Sequence, residues 1–181
     1  MAPAQNEPPR VEIRPFCPAD HEPVVALYRD SMMRYTHKSH PHYPVWVDYV
    51  THTLATDLAD IPGHYLNKEG ANFFVATMQT DDADEPIVVA TLAIERKSET
   101  VAELRRVAVN ASYRRAGIGR LLMRHTTEWA KANKYDKLVL SNAATQDLAH
   151  KFYTSLGYTL TQRSVHCEDP YFELTHFEKE I

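Results

Sequence analysis

VAELRRVAVNASYRRAGIGRLL, residues 101–122, changes its periodicity midway. Val107 and Val109 alternate as the residues of a β-strand do, and Asn110, Ala111 and Ser112 end the alternation. From Ile118 the apolar residues move to helical spacing, through Leu121 and Leu122 to Trp129. Between the two patterns lies Arg114-Arg115-Ala116-Gly117-Ile118-Gly119. Glycines at the mouth of a helix let a ligand approach the backbone, and the N–H groups of the first turn have no partner inside the helix. With the positive end of the helix dipole and Arg114, Arg115 and Arg120 close by, the segment suits a ligand bearing a di- or triphosphate.

The rest of the chain frames that segment. Its 181 residues predict one domain over 11–181, preceded by a tail, MAPAQNEPPR, that is polar, proline-rich and read as disordered. The tail has no apolar core of a signal peptide. A net charge of −4 provides no global basic field, so nucleic acid is not expected as a partner, and mild acidity leans toward a cationic acceptor. Cys17 and Cys167 stand far apart in no metal-ligand spacing, so neither a disulfide framework nor a metal is expected. The longest apolar run, Ile87 to Ile94, is too short to span a bilayer, so no membrane partner is expected and a cytoplasmic location, with the nucleus left open, is.

Taken in order, Val11 to Phe16 alternates like a strand, and Pro18-Ala19-Asp20 opens a helix with Asp20 as its N-cap and Val24, Leu27, Tyr28 and Met32 on one face. His37 to Pro44 reads as a loop, Val45 to Leu58 as a second helix, and Pro62-Gly63 as a turn. Strands follow over Asn72 to Met78 and Ile87 to Ile94, joined by a charged turn from Asp81 to Pro86. The helix after the glycines ends near Asn133, and Lys137 to Ser141 is a strand parallel to its predecessor, since a helix joins them. Leu148, Ala149, Phe152 and Leu156 mark a last helix closed by Gly157; Thr159 to Arg163 and Phe172 to Phe177 form an antiparallel pair. The fold class is therefore α/β with a mixed sheet of six to seven strands flanked by about four helices.

Three known phosphate-binding patterns compete for the glycines. A dinucleotide-binding fingerprint needs Gly or Ala where Leu122 stands, and a P-loop needs Gly-Lys-Ser/Thr where Gly119-Arg120-Leu121 stands. Arg114-x-x-Gly117-x-Gly119 after a Leu-x-x-Val-x-Val strand instead resembles the acetyl-CoA-binding motif of the GNAT superfamily of N-acetyltransferases. Ile13-Arg14-Pro15 followed by Asp20 is similar to that family's opening, and Phe152-Tyr153-Thr154-Ser155-Leu156-Gly157-Tyr158 resembles its closing helix, so the likeness covers residues 11–163. The resemblance implies acetyl-CoA as acyl donor, with its pyrophosphate on the N–H groups of Arg115, Ala116, Gly117, Ile118, Gly119 and Arg120, beside Arg114. It implies that the main chain of Val107, Ala108 and Val109 pairs with the pantetheine arm, that this strand splays from the one ending at Ser141, and that Asn142, just past that end, bonds the same arm.

Transfer to an amine poses two proton problems. Exposing the lone pair of a lysine-like amine at pH 7 costs about 4–5 kcal/mol and of an α-amine about 1 kcal/mol. The resemblance puts a base at Glu103, taking the amine's proton directly or through water; the alternatives are a solvated strand residue or a salt-bridge partner for an arginine such as Arg105. It aims Tyr153 at the leaving thiolate; with an ordinary phenol, full proton transfer would be uphill by about 2 kcal/mol, so hydrogen bonding is the safer role. Backbone N–H near Val107 would polarise the thioester carbonyl, and transfer would be direct. The implied acceptor is a primary amine of a small molecule, amino acid or peptide, with Tyr35, His37 and Tyr43 as candidate contacts and His125 as a packed core histidine. A non-catalytic acyl-CoA sensor is the alternative; the state is monomer or homodimer, the C-terminal strand pair offering an edge.

Overall fold

The computed structural model describes residues 11–80 and 83–181. The expected tail over 1–10 and the start of the charged turn at 81–82 lie outside the described residues. Seven strands form one mixed sheet: β1 (Val11–Pro15), β2 (Asn72–Met78), β3 (Ile87–Arg96), β4 (Val101–Val109), β5 (Lys137–Ala143), β6 (Thr159–Glu168) and β7 (Tyr171–Glu180), in the spatial order β1-β2-β3-β4-β5-β7-β6. Four α-helices accompany them among the described residues: α1 (His21–Met33), α2 (Tyr43–Ala55), α3 (Ile118–Ala132) and α4 (Asp147–Ser155).

Both faces of the central strands are covered, which is why β2 and β3 are apolar almost without interruption. On one face Phe74, Ala76, Leu92 and Leu138 pack against Ile118, Leu122 and Met123 of α3 and Tyr153 of α4. On the other, Phe73, Val75 and Ala93 pack against Val24 and Tyr28 of α1 and Trp46 and Val50 of α2. Each large apolar side chain removed from water in this way contributes about 1.5–3 kcal/mol before the entropy of ordering it is subtracted.

Several boundaries differ from the sequence expectation. Helix α2 starts at Tyr43, because Pro44 tolerates the first turn of a helix, whose N–H groups lack partners anyway. Asp20 does not cap α1 with its side chain: its carboxylate turns back to take a two-pronged contact from Arg14 at 2.7 and 2.8 Å and the Cys17 N–H at 2.8 Å. Pro62–Leu66 winds into a π-helical turn rather than a simple reversal. Strands β6 and β7 extend into a hairpin because each completes the other's backbone hydrogen bonds over ten residues, although β6 is mostly exposed. Asn142, expected just past β5, lies within it, opposite Thr175 of β7. His125 is exposed, its ring edge-on to Phe74 at 4.9 Å between centroids.

Candidate active site

The sheet splits at its middle. Strands β4 and β5 pair in parallel only through Val101–Lys137, Ala102–Leu138 and Glu103–Val139, then diverge. Helix α3 fills the connection between them, with Gly117 at φ 81° turning the chain into its first turn. An added Cβ on Gly117 would meet nothing within 4 Å, so the loop backbone lies open to the outside. Gly119 is a different case: its added Cβ would stand 3.2 Å from the Phe152 ring, so glycine is what lets α4 approach α3 here.

Strand β4 carries an irregularity at the point of divergence. Its register with β3 runs Thr91–Ala108 and then Ala93–Arg105, so one extra residue is accommodated on β4. Arg106 takes up the excess with φ 54°, a left-handed conformation that costs a non-glycine residue about 1–2 kcal/mol. Arg105 and Arg106 consequently both reach the α1–α2 face, while Val107 returns to the α3 face and Ala108 to the α1–α2 face.

Two depressions meet at this bulge. A groove of about 670 Å³ runs past Val107, Ala108, Val109, Arg114, Arg115, Gly117, Ile118, Gly119 and Arg120 to Phe152 and Tyr153. A cavity of about 170 Å³ lies on the α1–α2 side, walled by Tyr28, Trp46, Tyr49, Arg105, Arg106 and Phe172. Met32, Tyr35, Val107, Ala149 and Tyr153 line both, and so mark the passage between them. No aspartate or glutamate lines the cavity among the described residues; its charged groups are two arginines, with His166 beside them. Each arginine is paired with a carboxylate behind the wall, Arg105 with Glu95 and Arg106 with Asp57.

The donors in the cavity are unevenly satisfied. Arg106, buried, donates to both carboxylate oxygens of Asp57 at 2.7 Å and to the Tyr49 hydroxyl at 2.9 Å. Burial alone would raise the Asp57 pKa, but the hydrogen bonds and charge of Arg106, with the Tyr65 hydroxyl, hold it below the ordinary carboxylate value. By contrast, the Trp46 indole N–H and the Asn142 side-chain NH2 are buried with no hydrogen-bond partner among the described residues. The Asn142 amide oxygen accepts from the Thr175 hydroxyl at 3.0 Å. Burial pushes the Tyr153 phenol well above its usual pKa, with Tyr35 and Tyr49 adding to the rise, so it stays a neutral donor.

Of the residues singled out from sequence, the groove gathers Val107, Ala108, Val109 and the Arg114–Arg120 loop except Ala116, and Tyr153 and Tyr35 join it at the passage. Arg114 and Arg120 are partly committed, donating to the Val109 carbonyl and the Ser155 hydroxyl. Glu103 is not brought to the cavity: its carboxylate faces Lys97 at 3.9 Å, and Arg105 pairs with Glu95 at 2.6 Å instead. His37 and Tyr43 do not line the cavity either; the His37 ring is held locally by Ser39. Sequence reasoning missed Tyr28, Trp46, Tyr49, Arg106 and Phe172 as cavity residues. The spacing of Trp46 and Tyr49, three residues apart on α2, was the available signal, since it puts two aromatics on one helix face. Among the described residues no group of His, Cys, Asp and Glu could hold a metal, and no helix is long and apolar enough to cross a membrane.

Known proteins share both the sequence pattern and the fold. A model of the acetyltransferase (GNAT) family matches residues 22–158. N-acetylaspartate synthetase of Danio rerio is 36% identical over 114 residues, which cover 63% of this chain and 39% of that protein. N-acetyltransferase 8 of Homo sapiens is 31% identical over 126 residues, covering 67% and 53% respectively. The chain thus spans between about two fifths and about half the length of these relatives. A solved acetyltransferase of the GNAT family from Staphylococcus aureus matches with a TM-score of 0.74 at 18% identity, over 94% of this chain and 99% of that one. An acetyltransferase from Bacillus anthracis, solved in complex with acetyl coenzyme A, matches with a TM-score of 0.57 at 16% identity over 66% and 67%. At these identities the structural likeness is one of fold.

Proposed function

The chain belongs to the GNAT acetyltransferase family, and from that premise we propose that it moves an acetyl group from acetyl-CoA directly to the primary amine of a small acceptor, an amino acid first among the candidates. The observation that supports this is that groove and cavity share Val107 and Tyr153 in their walls, with the glycine loop expected to hold phosphate along the groove and an aromatic-walled chamber on the other side. The acetyl-CoA complex of a structural neighbour supports the donor.

The residues fit such a donor. The first turn of α3 offers N–H groups without helical partners, the Gly117 position is open, and Asn142 holds an unpaired amide donor beside the split. When bound, acetyl-CoA supplies an activated thioester. Beyond Glu103, β4 has no partner in β5, so its main chain is free to bond an extended arm as a strand would. Tyr153 would donate a hydrogen bond to the sulfur as negative charge gathers there, and its raised pKa makes it a stabiliser of that charge rather than a proton donor.

The cavity's chemistry narrows the acceptor. With no carboxylate in its wall among the described residues, it supports an amine whose lone pair is cheap to expose, about 1 kcal/mol for an α-amine against about 4–5 kcal/mol for a lysine side chain. Both arginines of the wall are already paired, Arg106 with Asp57 and Arg105 with Glu95, so the cavity adds no free charge of either sign to the choice of acceptor. The N-acetylaspartate synthetase relatives make aspartate one member of the panel to assay.

The test is calorimetric titration with acetyl-CoA, with NAD and ATP as controls, followed by free-thiol release over a panel of α-amino acids, peptides and polyamines. Binding of acetyl-CoA and turnover with an α-amino acid is the expected result. Binding without turnover on any amine would leave an acyl-CoA-binding module, and no binding would remove both readings.

A further inference from the structure

We infer that Arg106 and Asp57 are positioning residues for the transfer step: their buried pair locks the β4 bulge and ties it to the acceptor wall. The inference rests on the acetyltransfer reading and goes beyond it, since neither side chain is required to touch acetyl-CoA.

The bulge presents a puzzle of residue choice. A left-handed backbone inside a strand is a position for glycine, yet an arginine occupies it, the one such residue within any strand among the described residues. Its side chain supplies the reason. The guanidinium is gripped on two edges, by Asp57 through two bonds of 2.7 Å and by Tyr49 at 2.9 Å, with Tyr28 at 3.5 Å. Asp57 is itself held by the Tyr65 hydroxyl, and the Arg106 carbonyl accepts from the Thr91 hydroxyl at 2.9 Å. Main chain and side chain of the bulged residue are therefore both fixed, from β3 on one side and from the α2–Pro62 region on the other.

What is fixed matters because of what comes next. Val107 follows Arg106 directly and lines both groove and cavity, so a small rotation at Arg106 swings the Val107 backbone relative to anything held in the passage. Tyr49 lines the cavity as well, so the same guanidinium sets one wall of the acceptor chamber. Donor strand and acceptor wall thus share one anchor. An acyl transfer whose reacting atoms must approach closely loses rate steeply when two supports drift apart, even if each partner still binds.

The experiment pairs Tyr49→Phe, which removes the oxygen that accepts from Arg106 and from the Tyr28 hydroxyl, with the double variant Asp57→Asn/Arg106→Gly, in which glycine adopts the bulge freely and no buried charge is stranded. Three quantities are read: the Kd for acetyl-CoA by calorimetry, kcat per acetyl-CoA-binding site, and amide hydrogen exchange at residues 106–108 with and without acetyl-CoA. For the double variant the expected result is a Kd within about threefold of wild type, kcat down at least about tenfold, and exchange at residues 106–108 faster by about tenfold or more. For Tyr49→Phe it is a fall in kcat of about threefold or more at unchanged Kd. If the double variant does not fold, Tyr49→Phe decides alone. Values of kcat and exchange within about twofold of wild type in folded protein would overturn the inference. Exchange is readable with no acceptor present, so a silent amine screen would count against the proposed reaction while exchange still decides the role of the pair.

Discussion

Replacing Tyr153 by Phe removes a single oxygen from the passage between groove and chamber. That oxygen bonds nothing in the protein among the described residues: burial and the neighbouring tyrosines Tyr35 and Tyr49 are what shift its pKa. Folding should therefore hardly notice, with a change under about 1 kcal/mol, or less than about 4 °C in Tm for a chain of this size. Catalysis should notice. A hydrogen bond to a charge-bearing sulfur is worth about 1.5–3 kcal/mol, and at about 1.4 kcal/mol per factor of ten this predicts a fall in kcat of about 10- to 150-fold. Acetyl-CoA binding should stay within about threefold, because the ground-state thioester carries little charge to stabilise. The assay is free-thiol release at saturating acetyl-CoA and amine, beside calorimetric Kd values for both proteins. Since burial keeps the phenol protonated, the ratio of wild-type to variant kcat should also be flat from about pH 6 to 9. Equal losses in kcat and in acetyl-CoA affinity, or a ratio that titrates in that window, would refute the role given to this hydroxyl.

Gly119→Val should weaken acetyl-CoA binding by about tenfold or more, because its Cβ would press on the Phe152 ring at 3.2 Å and its methyls would crowd the groove wall; an unchanged calorimetric Kd would count against it. Glu103→Gln should leave kcat within about threefold, since the carboxylate faces Lys97 outside the chamber; a large loss at high pH, where an acceptor amine needs no base, would show a structural role instead. Stability should drop in acid. Asp57 and Asp20 both have folded pKa values below the ordinary one: burial opposes ionisation in each, but Arg106 and Arg14 override it. A depressed carboxylate pKa adds stability that is complete above the unfolded value of about 4 and is lost as pH falls below it, so urea midpoints should fall between about pH 4 and 2 and stay level from 5 to 7.

The elements that line the groove were legible because their signals are local. A change from period two to period three-and-a-half within Val101–Leu122, with glycines at the join, specifies strand, loop and helix almost residue by residue. The chamber was not legible, because its walls come from five separated segments, around Tyr28, Trp46, Arg106, Asn142 and Phe172, whose meeting depends on strand order and on one bulge. Glu103 shows the same limit in reverse. The family motif fixes its place on β4, but its proximity to the reacting groups depends on which side chains it meets, and Lys97 on the neighbouring turn meets it.

The brief seam between β4 and β5, three residue pairs wide, makes the sheet two leaves bound by a narrow spine. An extended molecule lying in the open part of that spine would stitch the leaves together with the backbone hydrogen bonds they do not make to each other. Its binding energy would then appear as mechanical cohesion, rising as RT ln(1 + [L]/Kd), about 2.7 kcal/mol at a hundredfold excess over Kd. The persistence of the protein against heat and proteases becomes, on this construction, a gauge of how much donor surrounds it.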